Sequence, residues 1–502
     1  MANDQTDRVV DVLIVGAGNA AFCAAHAARD RGASVLMVEK TPAAETGGNS
    51  FYTAGAFRVT HDGVHGLRPY LNETTVARLD TTELSAYPAE TFIADMRRLT
   101  EGHNDDAMTD RLVSDSADLV AWLAEHGITW RLMYERQSYQ RDGRDVFFGG
   151  LAVGTVDGGK GLIAQHTAHA LGSGVEIRYG TAVTGLLRDD TGRVTGVLCT
   201  DAEGNRHQIR AGTVVLAAGG FEADPQRRKD HLGEGWERAL VRGSPANTGE
   251  VLDAALAVGA DRFGDWASCH SVQWDANASP SGGNRELTNQ LTRQSYPIGI
   301  VVNNRGNRFI DEGADYRNYT YAKYGREILR QPEGIAFQLF DATTRPLLRT
   351  EEYDSSPITM AEADTLEDLA AKLGIDPDGL VRTVREFNGS IEDRPFEPAV
   401  KDNRVAKVDP PKSNWAMALA TPPFYGYAVS CGITFTFGGL RVAVDNAQVL
   451  DTEGERIPGL YAAGELVGGL FSGNYPGGTG LTAGAVFGRA AGAAAAAESA
   501  AN

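Results

Sequence analysis

The chain has 502 residues, 42% of them hydrophobic, so it can bury more than one core, and 47 basic against 66 acidic residues leave a net charge of −19. Such an acidic surface argues against nucleic acid or anionic membrane as the main partner, and no apolar run approaches the ~18 residues of a membrane span. Cys23, Cys199, Cys269 and Cys431 are scattered without a CxxC pair and no signal core precedes Asp11, which predicts a cytoplasmic protein with no metal site.

The first predicted element is a buried parallel strand over Val10 to Val15. Gly16, Gly18 and Ala21 follow as a GxGxxA loop, and an alanine-rich helix runs to about Arg31. Gly16 permits the sharp turn, Gly18 admits a pyrophosphate close to the backbone, and the positive helix end faces the phosphates. The next strand, SVLMVEK, ends in Glu39, placed to bind ribose hydroxyls. Strand, loop, helix, strand and acid together predict a bound adenine dinucleotide. On these residues alone the choice between FAD and a nicotinamide cofactor stays open.

Glycine clusters punctuate the next stretch of chain. GGNSFYTAG (Gly47 to Gly55) comes after the ribose-binding strand, and GTVDGGKGL (Gly154 to Leu162) opens a helix predicted through Leu171. Short antiparallel strands with DDTG and AEGN turns then lead into TVVLAAGGF (Thr213 to Phe221), a buried return strand. The alanine-rich tail from Ala490 reads as a helix end.

GAGNAAFCAA, GGNSFYTAG, VVLAAGGF, GNRFIDEG, PGLYAAGE and GGTGLTAGAVFGRAAG, in this order along nearly the whole chain, resemble the fumarate reductase and succinate dehydrogenase flavoprotein superfamily. Within it the GGNS and DEG motifs are similar to those of tricarballylate dehydrogenase-like flavoproteins. The resemblance implies an α/β fold: a Rossmann-like FAD-binding domain built from both chain ends, residues 1–250 and 421–502, with an inserted α+β capping domain over 251–420. It implies FAD contacts at Gly16, Gly18, Asn19, Ala20, Glu39, Lys40, Gly47, Gly48, Asn49, Ser50, Thr53, Ala54, Gly55, Ala218, Gly219, Gly464, Glu465, Gly480, Leu481 and Thr482. GGNSFYTAG holds no histidine for covalent attachment, so the FAD is expected to be non-covalent.

The same resemblance points to the reacting groups. Fumarate reductases carry an acidic arginine four residues after the glutamate matching Glu312; here Tyr316 stands there and Arg317 is next. In 3-ketosteroid Δ1-dehydrogenases a tyrosine base holds the similar place, so Tyr316 is expected to take the α proton, with Arg317 lowering its pKa or holding a carboxylate. NYPGGTG resembles the ketosteroid loop, which gives Tyr475 and an amide between Gly478 and Gly480 the role of polarising a carbonyl oxygen. Thr434 or Phe435 replaces the dicarboxylate-gripping histidine of fumarate reductases, and Arg58 is a candidate for an anionic substrate. His61, His65 and His270 lack metal-like spacing and read as ordinary histidines.

The expected reaction is desaturation α,β to the carbonyl of a small molecule, a cyclic ketone, an oxocyclohexanecarboxylate-like oxo-acid or a 3-ketosteroid. The alternatives are a tricarballylate-like dehydrogenase or fumarate/enoate reductase on a polycarboxylate and, in another class, a flavoprotein electron-transfer subunit. The electron acceptor stays open.

Overall fold

In the computed structural model, residues 9–354 and 359–501 are described. The N-terminal apolar run forms β1 (Val10–Val15), followed by α1 (Asn19–Asp30) and β2 (Val35–Val38). Next come α2 (Gly158–Gly172), β3 (Glu176–Arg178), the meander β4 (Ala182–Arg188) and β5 (Val194–Thr200), and the long return strand β6 (Arg206–Leu216). A second region holds β7 (Cys269–Asp275), β8 (Ile300–Val302), α3 (Arg317–Leu329), β9 (Ile335–Phe340) and β10 (Met360–Ala363). It continues through α4 (Leu366–Leu373), α5 (Pro377–Gly389) and β11 (Phe424–Thr436). The chain returns with β12 (Arg456–Ala462) and α6 (Thr479–Ala500).

The first sheet joins both ends of the chain. Its parallel order is β12, β6, β1, β2, β3, with Val15 opposite Leu216 and Leu216 opposite Ala462. Strands buried on both faces need near-continuous apolar sequence, which is why VDVLIV and TVVLAA read as they do. The β4–β5–β6 meander extends the sheet antiparallel, as its alternating sequence predicts. Helices α1 and α6 lie against one another, and Gly488 and Gly492 permit the approach: a Cβ on either would fall 2.4 or 2.0 Å from a main-chain oxygen of α1. The two glycine-rich ends of the sequence thus form one layer.

β11 is the spine of the second sheet. It pairs antiparallel with β7, β9 and β10, and parallel with a short strand at Leu240–Val241. This sheet therefore draws strands from before residue 251 and after residue 420. Its apolar core, with Ile300, Leu339, Leu369 and Leu380, is separate from the one under the first sheet. The fold is the expected α/β flavoprotein architecture with an α+β cap. Among the described residues no helix is long and apolar enough to cross a membrane, no group of side chains is placed to hold a metal ion, and all four cysteines are buried and free.

Candidate active site

A cavity of about 560 Å³ runs from the β1–α1 turn to the underside of the cap. Gly16 makes the turn possible: its φ is +110°, and a Cβ there would sit 2.4 Å from the Ala217 main-chain oxygen. α1 begins at Asn19 with no side-chain cap and no acid in its first turn, so its free N–H groups are left for an anion. At the far side, Glu39 lines the wall with Oε1 accepting from the Thr41 N–H at 2.9 Å, which fixes the carboxylate for a ribose. α6 also starts uncapped, after Gly478, and has no acid in its first turn. Two uncapped helix starts, a ribose-ready acid and an apolar mid-section fit a dinucleotide with a flavin at the cap end.

Most residues expected to touch the cofactor line this cavity: Gly16, Gly18, Asn19, Ala20, Glu39, Lys40, Gly48, Asn49, Ser50, Thr53, Ala54, Ala218, Gly219, Gly464, Glu465, Gly480 and Leu481. Three do not. Gly47 packs on Ile163 and Phe51, Gly55 on Thr155 and Gly158, and the Thr482 hydroxyl donates to the Arg58 main-chain oxygen at 2.9 Å. They shape the wall from behind.

The cap end of the cavity holds Tyr475, Tyr321, Thr434, Phe435, Gly478, Arg136, Arg242 and Arg317. The Tyr321 and Tyr475 hydroxyls are 2.5 Å apart. Burial holds both phenols above their ordinary range, Tyr475 well above it, and the Tyr321 hydroxyl adds to the effect at Tyr475. Both are therefore donors at neutral pH. The Gly478 main chain acts the other way on Tyr475, lowering its phenol, without offsetting burial. His270 stacks on Phe435 and stands edge-on to Tyr475, and burial followed by the charge of Arg242 pushes it well below the usual histidine range. It is a neutral ring behind the tyrosine.

Two of the residues expected on the substrate side do not line the cavity. Tyr316 lies outside the cavity, immediately before α3, stacked on Phe148 at 5.4 Å and close to Trp415 at 5.9 Å. Burial raises its phenol above the ordinary range, outweighing the main chain of Lys401, which lowers it. Arg58 also fails to reach the cavity. It is fully buried, its Nε donating to Gly477 O at 2.9 Å and Nη1 to Gly149 O at 3.0 Å, with Tyr319 and Tyr87 rings against the guanidinium. It braces the loop that carries Tyr475.

Arg317 does reach the cavity. It opens α3, and its Nη1 donates to Gln294 Oε1 at 3.3 Å. One turn along the same helix face is Tyr321, so the i, i+4 spacing was the available signal for this missed residue. Arg242, also missed, follows Leu240–Val241 and is tied to β11 by its N–H to Ile433 O at 2.8 Å. Its Nη1 donates to Thr434 Oγ1 at 2.8 Å and its Nη2 to Asn289 Oδ1, while Nε meets no partner among the described residues. Burial pulls this guanidinium below the usual arginine range. Arg136, by contrast, is paired with Glu351 and Glu352. Among the described residues neither Arg242 nor Arg317 has a carboxylate partner.

Residues 11–481 match the family described as the FAD binding domain. The chain is 29% identical to the "Fumarate reductase (cytochrome)" of Shewanella frigidimarina over 96% of its own length and 76% of that protein. It is 28% identical to the "Urocanate reductase" of Eggerthella lenta, over 97% of this chain and 75% of the relative. Among solved structures, the open conformation of a flavocytochrome c3 fumarate reductase superposes with a TM-score of 0.74 at 26% identity, covering 99% of this chain and 79% of that one. The 3-ketosteroid delta1-dehydrogenase of Sterolibacterium denitrificans shares the fold, with a TM-score of 0.74 at 22% identity and coverage of 97% and 99%.

Proposed function

Because this chain belongs to the FAD binding domain family and is an FAD-dependent oxidoreductase acting on CH–CH groups, we propose that its substrate is a carboxylate-bearing carbonyl compound desaturated α,β to the carbonyl. The observation that carries this reading is Arg242: a buried guanidinium facing the cavity that pairs with no carboxylate among the described residues. An uncompensated buried cation is costly, and an incoming carboxylate relieves the cost through charge-assisted hydrogen bonds. A neutral ketone leaves it unrelieved.

The flavin, held non-covalently, supplies the acceptor for the β hydride. The protein's part is to bind, orient and move the proton. Arg242, steadied by Thr434 and Asn289, takes the carboxylate. Tyr475 donates to the carbonyl oxygen, with Tyr321 fixing its hydroxyl, and so stabilises the negative charge that grows on that oxygen as the α proton leaves. Arg317, not Tyr316, is the group placed at the α proton: it lines the cavity and stands one place from the position where fumarate reductases carry their acidic arginine. As a guanidinium it donates that proton in the reducing direction, and in desaturation it takes the proton only in its neutral form, after passing its own to solvent. Gln294 orients its guanidinium.

A polycarboxylate is the second reading, favoured by Arg317, a second cavity-lining guanidinium that pairs with no carboxylate among the described residues. Anaerobic mixing separates the two. An oxo-acid that bleaches the flavin where tricarballylate does not supports the first; the opposite pattern supports the second. Bleaching by neutral cyclic ketones alone overturns both.

A further inference from the structure

Glu222 is an acid that the desaturation does not use. It follows the Gly219–Gly220 turn at the end of β6, and none of it is exposed. Its Oε1 accepts from Asn49 Nδ2 and Asn247 Nδ2, both at 2.6 Å, while Oε2 meets no donor among the described residues. What faces it is another acid. Glu465 lines the cofactor cavity, accepts the Thr436 N–H at 2.8 Å on Oε1, and stands within hydrogen-bonding reach of Glu222. The turn is shaped for this meeting, since a Cβ on Gly220 would fall 2.2 Å from Glu465 Oε1.

Two facing carboxylates are both acceptors, and only a proton on one of them supplies the missing donor. In a buried setting two like charges in contact cannot both persist. Burial pushes both acids upward, and at Glu465 the charge of Glu222 adds to it. The other ionisable groups near Glu222 do not replace the proton. Arg228 donates to the Glu222 main-chain oxygen at 2.6 Å and otherwise to the carbonyls of Trp236, Glu237 and Ala239. Cys269 is kept neutral by burial.

We propose that Glu222 and Glu465 hold one proton between them, and that this shared proton governs how tightly the cavity holds the anionic FAD. With the proton the pair carries one negative charge; without it the pair carries two, on the wall of a site for a pyrophosphate-bearing ligand. Affinity is therefore complete while the pair keeps its proton and falls as rising pH removes it. Glu222 is a positioning residue that acts through Glu465. The inference rests on FAD occupying this cavity and is independent of which substrate is oxidised.

Dilution of the holoenzyme across the neutral to alkaline range, followed by flavin fluorescence, reads the release of FAD. The wild type is expected to lose affinity by about tenfold per pH unit once the proton leaves, the slope of a single linked proton. In Glu222→Gln this slope disappears, and in Glu222→Asp it returns. Parallel profiles for the wild type and Glu222→Gln overturn the proposal. Should Glu222→Gln fail to fold, infrared spectra of the wild-type holoenzyme decide. A protonated-carboxyl stretch present at neutral pH and lost on alkalinisation supports the shared proton, and its absence at neutral pH overturns it.

Discussion

Tyr321 and Tyr475 meet hydroxyl to hydroxyl at 2.5 Å across 154 positions of sequence, one from the first turns of a cap helix and the other from the loop before the C-terminal helix. The pair closes the gap between the two units at the point where a carbonyl oxygen would sit. Removing the Tyr475 hydroxyl takes away the donor itself. Tyr475→Phe is expected to lower the rate of flavin reduction by about 10²–10³-fold, the cost of one oxyanion donor. Tyr321→Phe removes only the group that orients it, and about a tenfold loss is expected. Stopped-flow bleaching with a saturated oxo-acid measures both, and equal losses would contradict the assignment of donor and orienter.

Arg317 and Tyr316 are neighbours with different surroundings, so the two substitutions should separate cleanly. Arg317→Gln is expected to slow proton exchange by about 10²–10⁴-fold with FAD still bound. Tyr316→Phe keeps the stack on Phe148 and is expected to stay within about twofold of wild type, as for changes that leave packing intact. A Tyr316→Phe enzyme as slow as Arg317→Gln would return the proton to the tyrosine.

The cap carries a pH signature of its own in Lys412. This side chain is fully buried, donates to Gly299 O, and is pulled down to about 8 by burial. The unfolded chain holds the same proton up to ~10.4. Between these values the unfolded state binds more protons, so stability rises with pH across that window. Denaturant titrations at several pH values should show the rise in the wild type and its loss in Lys412→Met. A variant that rises in parallel would contradict the assignment.

Acid should act through the back of α1. His166 is fully buried, its Nε2 3.2 Å from Asn19 Oδ1 and its Nδ1 3.0 Å from His26 Nε2. Burial, followed by the charges of His126 and His169, pushes it down to about 3. Its contribution is untouched above the ordinary histidine value of ~6.5 and is lost as pH falls toward the native one, because the unfolded chain takes up a proton that the fold refuses. Thermal melts of the wild type should fall more steeply below that value than melts of His166→Gln. Identical slopes would exclude His166 as the source.

The cofactor end was largely legible in the sequence. The β1–α1 turn and Glu39 depend on local spacing, which periodicity and glycine placement report directly. The cap end was less so. Whether Tyr316 or Arg317 faces the cavity depends on where α3 begins, and a shift of one residue turns a side chain by about 100° around the axis. Arg58 was misplaced because its partners, Gly477 and Gly149, become neighbours only in the fold. Arg242 lies far in sequence from both Thr434 and Asn289, so its exposure to the cavity had no local sign.

The proposed chemistry turns on a substrate carboxylate answering Arg242. The decisive measurement is an anaerobic flavin-bleaching titration of the wild type and Arg242→Gln with a saturated cyclic oxo-acid and its neutral methyl ester. The expected result is a wild-type preference for the acid that collapses in Arg242→Gln through loss of acid binding, by about 10²–10³-fold for a buried charge-assisted contact worth ~3–4 kcal/mol. Equal bleaching of the wild type by acid and ester, unchanged in the variant, would contradict it.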